Sequence, residues 1–259
     1  MGSSVEKLSE AWGRGKPVYS AWCGLPEPSV SGYLAREPGF EAVVLDMQHG
    51  VVDFLAVTRA IPLVAAAGKP CIPRIPVGEF SVASRLMDAG ASGIIAPMIN
   101  TVADAKNFAG SVKYPPQGER SWGPHPAIVL TGMSFPDYFA KANGFTKSFA
   151  MIETREALDA IDDILAVDGI DAIFIGPSDL SIGLSRGAKL DATGAEVDTA
   201  IRHAVSRARA AGKGAGIYAQ SGERAATFAG FGYDFIAVGS DVAFLRAGAH
   251  AMLSAAGAI

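Results

Sequence analysis

Eight short apolar runs recur along this chain, and their number limits its fold more than any other feature. They are VYSAWC (18–23), AVVLD (42–46), PCIPRI (70–75), GIIAP (93–97), FAMIE (149–153), AIFIG (172–176), AGIYA (215–219) and FIAVG (235–239). Each is rich in Val, Ile or Phe and bounded by Gly, Pro or Asp, as expected of strands buried on both faces of a parallel sheet. Between most of them, apolar residues fall at helical spacing, over 53–68, 79–90, 102–113, 154–167, 195–212, 223–232 and 241–257. Gly68, Gly90, Gly212 and Gly232 follow the ends of such segments, where a glycine closes a helix. Eight strands alternating with helices predict an α/β fold, the (β/α)8 TIM barrel. A doubly wound open sheet shares the alternation, so the strand count is what favours the barrel.

The length agrees. The chain has 259 residues, barrels of about 250 residues are commonly single domains, and no low-complexity linker divides it. We therefore expect one barrel domain over 1–259. Hydrophobic residues make up 49%, enough for a sizeable core, and no apolar run reaches the length of a membrane span. Net charge is −4 with both signs interspersed, which leaves no nucleic-acid footprint. The opening MGSSVEKLSE lacks the basic start and apolar stretch of a signal peptide, so a cytoplasmic location is the expectation. Cys23 and Cys71 lie far apart within predicted strands and read as small core residues.

One interval departs from the rhythm. Residues 114–146 separate the fourth helix from the fifth strand, open with Pro115, Pro116 and Gly118, and carry several aromatics and His125. Long irregular segments are often functional, so part of it is expected to cover the site, ending in a short helix at FPDYFAKA.

In a barrel of this kind the chemistry gathers at the C-terminal ends of the strands. Trp22 lies on strand one. Asp46 ends strand two, with His49 just beyond. Arg74 comes from strand three, Glu153 ends strand five, and Asp179 follows Gly176-Pro177 after strand six. Glu153 and Asp179 come from consecutive strands, and two carboxylates that close repel unless a proton or cation lies between them. A hard divalent cation suits such a pair; a helix-leading acid and a helix cap are the plain alternatives. A helix starting near Ser178 would aim free amides at the barrel mouth and bind an anion. Arg74 in an apolar strand needs an anionic partner: either Asp46, or an oxygen that turns negative during a reaction. His49 beside a carboxylate is a reasonable general base.

Six stretches, VVLDMQHG, PRIP, RLMDAGASGIIAPMI, YPPQGERSWG, MIETREAL and FIGPSDLS, occur in an order and spacing that resemble the HpcH/HpaI aldolase family. These are class II, metal-dependent pyruvate aldolases of the phosphoenolpyruvate/pyruvate superfamily. The resemblance implies a homo-hexamer, a trimer of dimers whose subunits exchange the last helix. It implies Glu153 and Asp179 as ligands of Mg2+ or Mn2+, with Co2+ or Zn2+ as further candidates. It implies Arg74 on the keto oxygen of a 2-oxo acid, and His49 as acid/base with Asp46 near it. Asp88 would pair with the histidine of a neighbouring subunit, amides around Ser178 and Asp179 would hold the substrate carboxylate, and Trp22 would line the pocket. The implied substrates are a pyruvate-type 2-oxo acid and an aldehyde. A related lyase, an oxaloacetate decarboxylase and a non-catalytic binder remain alternatives.

Three positions depart from the family's pattern. Gln48 stands where D-x-E-H-G has glutamate, which removes a negative charge beside His49. Gln117 replaces an arginine, and Met151 stands where some members carry glutamine.

Overall fold

A computed structural model describes residues 2–259. The eight apolar runs form β1 (Val18–Cys23), β2 (Ala42–Asp46), β3 (Cys71–Arg74), β4 (Gly93–Ala96), β5 (Lys147–Met151), β6 (Ala172–Ile175), β7 (Gly214–Ala219) and β8 (Phe235–Val238). All pair in parallel and in sequence order, and β1 pairs with β8 to close the barrel. The helices are α1 (Lys7–Ala11), α2 (Pro28–Leu34), α3 (Phe54–Ala66), α4 (Phe80–Ala89), α5 (Val102–Val112), α6 (His125–Thr131) and α7 (Phe135–Phe145), then α8 (Arg155–Asp159), α9 (Ile161–Leu165), α10 (Pro177–Leu184), α11 (Ala195–Ala210), α12 (Gly222–Phe231) and α13 (Asp241–Ala255). The expected (β/α)8 barrel is the observed fold.

Strand residues alternate between two cores, because successive side chains point to opposite faces. Val18, Trp22, Val44, Ile72, Ile95, Phe149, Phe174 and Phe235 fill the barrel interior. Cys23, Val43, Leu45, Ile94, Ile173 and Ile217 face the surrounding helices. Both cysteines are free and buried, as expected. The floor is shut by Trp12, just after α1, whose ring meets Phe149 edge-on at 5.5 Å. Any β-carbon at Gly214 would collide with that indole, which explains a glycine opening β7.

Helix starts follow local chemistry. Asp53, Thr101, Ser134, Thr154, Ser221 and Ser240 each accept a backbone N–H of the first turn. Gly90 (φ 106°) and Gly232 (φ 96°) end α4 and α12 in the left-handed conformation.

Two expectations change. The helix expected over 154–167 is broken at Ala160 into α8 and α9. Hydrophobic spacing survives such a break, since Ala157, Ile161, Ile164 and Leu165 are all still buried, so periodicity cannot reveal it. The irregular segment 114–146 does not cover the barrel mouth within this chain. It builds α6 and α7, and Tyr114, Ala127, Ile128, Tyr138, Ala142 and Phe145 pack with Val5 into a satellite core on the barrel's flank. Burial there accounts for Tyr114, Tyr138 and Phe145, while Trp122, Phe135 and Phe139 stay partly exposed on its outer face.

Candidate active site

The strand ends meet in a cavity of about 180 Å3, lined by Trp22, His49, Arg74, Met151, Phe174, Gly176, Pro177, Ser178, Asp179 and Tyr218. That is small beside the roughly 300–1,000 Å3 of sites for drug-sized ligands, and it suits a small acid.

Arg74 owes its place to strand register. Asp46 and Arg74 are aligned partners across β2 and β3. Their side chains form a bidentate pair, with Nε 2.8 Å from Oδ1 and Nη2 2.7 Å from Oδ2. Asp46 also accepts the indole N–H of Trp22 at 3.3 Å and the backbone N–H groups of Gln48 and His49 at 3.0 and 3.3 Å. Burial pushes the Asp46 carboxyl up, but the Arg74 guanidinium and those amides outweigh it and hold the group below its ordinary value. Arg74 thus has the structural partner that sequence allowed, and still lines the cavity, 4.8 Å from the Trp22 ring centroid. The fork on Asp46 aims the guanidinium.

Glu153 lies two residues beyond the end of β5, which runs from Lys147 to Met151 rather than to Glu153 as the apolar run suggested. Its Oε1 accepts the backbone N–H of Met98 at 2.8 Å. Its Oε2 is buried and has no partner. Burial raises the Glu153 carboxyl to about 7; the Met98 N–H opposes this, the Asp179 charge adds to it, and Arg74 offsets part. Met98, with φ 55°, takes a left-handed conformation unusual for a residue with a side chain.

Gly176 shows where the partnerless oxygen points. A β-carbon there would lie 3.0 Å from Glu153 Oε2 and 3.8 Å from Asp179 Oδ2. The two carboxylates therefore face one small volume that a side chain at position 176 would crowd. Among the described residues no cluster of three or more His, Cys, Asp or Glu side chains could hold a metal ion. A pair of hard oxygen donors, one of them buried and unsatisfied, still fits a divalent cation that takes its remaining ligands from water and substrate.

Asp179 and Ser178 occupy the first turn of α10, behind Pro177 at its start. The free amides of this turn open toward the cavity that both residues line. Trp22, Phe174 and Tyr218 form an aromatic wall, with Trp22 5.3 Å from Tyr218 and 5.9 Å from Phe174. Burial raises the Tyr218 phenol, which keeps it protonated. His49 sits on the exposed rim. Gln48 is half-buried, and its side-chain Oε1 has no partner.

Asp88 is not part of this cavity. It lies on α4, pairs with the buried Arg120 at 2.7 Å and lines a separate groove with Phe54, Arg85, Gly123 and Val129. Sequence reasoning missed Met98, Phe174 and Tyr218. Tyr218 carried a signal, a phenol near the end of a strand of small and aliphatic residues. Met98 carried none, because its contribution is a backbone N–H.

Fold and site define a (β/α)8 barrel with a small mouth lined by an arginine, a helix start and aromatic rings, beside two facing carboxylates. The model of the HpcH/HpaI aldolase/citrate lyase family matches residues 24–247, and the chain belongs to this family. It is 41% identical over 255 residues to the hydroxypyruvate/pyruvate aldolase of Rhizorhabdus wittichii, covering 98% of this chain and 100% of that one. It is 33% identical to the 4-hydroxy-2-oxo-heptane-1,7-dioate aldolase of Salmonella dublin, covering 97% and 94%. A crystal structure of an HpcH/HpaI aldolase/citrate lyase family protein from Burkholderia cenocepacia superposes with a TM-score of 0.84 at 28% identity, covering 96% of this chain and 99% of that one.

Proposed function

We propose that this chain is a class II aldolase that makes or cleaves the bond between the enolate of a pyruvate-type 2-oxo acid, pyruvate or hydroxypyruvate, and an aldehyde. The products of synthesis are 4-hydroxy-2-oxo acids. The observation that carries this reading is the partnerless buried Oε2 of Glu153, which faces Asp179 at a cavity that also takes in Arg74. Names of close relatives supply the donor class.

Glu153 and Asp179 would hold a divalent cation, Mg2+ or Mn2+ by the hardness of the donors, with Co2+ or Zn2+ also admissible. When bound, such a cation draws electron density from the carboxylate and keto oxygens of the acid and so acidifies its C3 protons. The first-turn amides of Ser178 and Asp179 receive the substrate carboxylate. Arg74, aimed by Asp46, sits beside the oxygen that becomes negative as C3 loses its proton. His49 moves that proton and, in cleavage, takes the proton of the C4 hydroxyl. Trp22, Phe174 and Tyr218 keep water from the reacting carbon.

The same reading extends to assembly. Of the residues of α13 only Asp241 is buried, while Leu245, Met252 and Leu253 are 58%, 77% and 48% exposed. Tyr19, Pro38, Phe40, Ala225, Ala226 and Val238 line a groove beside α2 and α12 that is left open among the described residues. Exchange of α13 between subunits of a homo-hexamer, a trimer of dimers, accounts for both. Asp88 would then act on the His49 of a neighbouring subunit.

The test is exchange of pyruvate C3–H for deuterium in D2O, with and without EDTA. The expected result is exchange that stops on chelation and returns with Mn2+. Exchange that survives thorough chelation, or a lysine adduct trapped by borohydride, would sink the class II reading.

A further inference from the structure

Asp241 lies far from the motif residues in sequence, yet the fold sets it against the loop that packs on Gly50, next to His49. It opens α13 just after β8, and it is 1% exposed. A buried charge is costly unless its hydrogen-bonding capacity is used, and here both oxygens are used. Oδ2 accepts the backbone N–H groups of Gly24 at 3.0 Å and Leu25 at 2.9 Å, while Oδ1 accepts that of Val242 at 2.9 Å. The last barrel loop is thereby pinned to the first.

The first loop in turn grips the second. The Gly24 carbonyl accepts the N–H of Val51 at 3.0 Å. Backbone lies against backbone at this point: a β-carbon on Gly50 would fall 2.9 Å from both the Cα and the carbonyl oxygen of Gly24, and would also overlap the Asp46 carbonyl. His49 therefore stands on a segment held from two sides. Asp46 takes its N–H at 3.3 Å on one side. Gly24, fixed by Asp241, supports Gly50 and Val51 on the other.

We propose that Asp241 is a positioning residue for proton transfer, setting the height and direction of His49 over the mouth through Gly24 and Gly50. It touches no reacting atom, and its role rests on the reading of His49 as the acid/base. The groups that bind rather than move protons have other supports. Arg74 is held by Asp46, and Glu153 by the Met98 N–H. Loosening Asp241 therefore slows the proton step and leaves binding of the acid alone.

The test uses full-length protein with Mn2+, matched for oligomeric mass. Asp241→Asn keeps the shape but loses the charge and one carboxylate acceptor; Asp241→Ala removes the support. Pyruvate C3–H exchange should fall about 10-fold in the first and about 100-fold in the second, the scale of a misplacement near 1 Å. Pyruvate affinity by calorimetry should not change. In a His49→Ala background, Asp241→Asn should cost nothing further, because the two act as one unit. If Asp241→Ala does not fold, the isosteric Asp241→Asn carries the test. A wild-type exchange rate in Asp241→Asn, with His49→Ala impaired, overturns the role of Asp241 alone. A wild-type rate in His49→Ala overturns the histidine reading and this proposal with it. Equal losses from Asp241→Asn in both backgrounds, or a matching loss of pyruvate affinity, would reduce Asp241 to general support and overturn the proposal.

Discussion

Two carboxylates at this barrel mouth are buried almost equally and treated oppositely. Asp46 is 4% exposed and Glu153 is 1% exposed. Asp46 meets a guanidinium, an indole N–H and two backbone amides, and its carboxyl is held below the ordinary range. Glu153 meets one backbone amide, keeps an oxygen without a partner and is pushed up to about 7. Burial is common to both, so partners decide. A fully partnered acid is a fixed charge that can aim an arginine. A half-partnered acid facing a second carboxylate is poised to take up a cation.

The contrast is tested hardest at Glu153. Glu153→Gln should abolish metal-dependent deuterium exchange into pyruvate. It should also raise the melting temperature of the metal-free protein at pH 8, since the buried negative charge is gone. A variant that keeps its exchange, or melts lower than wild type when metal-free, would remove the distinction drawn here.

The opposite result belongs to the other corner. Arg74→Ala should lower exchange about 10²- to 10³-fold, the cost of one lost oxyanion donor. It should also destabilise the fold by about 3–5 kcal/mol, because Asp46 is left buried and uncompensated. Adding Asp46→Leu to that variant should return much of the stability in urea titrations and none of the activity. Recovery of exchange in the double variant would argue that Arg74 serves only the ion pair.

The two acids should also respond to pH with opposite sign. For Glu153 the folded value, about 7, lies above the ordinary 4.5 of a glutamate. Its contribution to metal-free stability is therefore complete below about 4.5 and lost as pH rises through about 7. For Asp46 the folded value is lowered from 3.8, so its contribution is present above 3.8 and lost as pH falls through the lowered value. Melting curves of Glu153→Gln and wild type, compared without metal from pH 4.5 to 8, should diverge as pH rises. At pH 6, Mn2+ binding should release a proton from Glu153, seen as a dependence of calorimetric heat on buffer ionisation enthalpy.

The smallest effect is expected at Met98. Met98→Gly keeps the N–H that bonds Glu153 and removes the left-handed cost of about 1–2 kcal/mol, against about 0.5–1 kcal/mol of lost chain entropy. Urea midpoints should move little, with metal affinity unchanged.

Much of this arrangement is legible in the sequence. The strand count led to the barrel, and strand-end position led to Trp22, Asp46, Arg74, Glu153 and Asp179, because a parallel barrel presents all its strand ends on one rim. The aromatics of 114–146 misled. For Tyr114, Tyr138 and Phe145, burial and site-covering place the same demands on composition, and only packing against Val5 and the barrel flank separates them. Ala160 was invisible for a similar reason, since apolar spacing continues through the break between α8 and α9.

By itself, the sequence determined which residues could meet. Alternating runs set the barrel, its strand order and the side chains at each strand end, through rules that act over a few residues. Tertiary structure decided which of them were satisfied. Whether Arg74 was spent on Asp46 or shared with a cavity depended on the register between β2 and β3. Whether Glu153 kept a free oxygen depended on a backbone N–H from Met98 and on the missing side chain of Gly176. That Asp241 lies against the loop before His49 depended on closure of β8 onto β1. Helix caps are satisfied locally, but for Arg74, Glu153 and Asp241 the deciding hydrogen bonds are made across the barrel, and no local pattern encodes those.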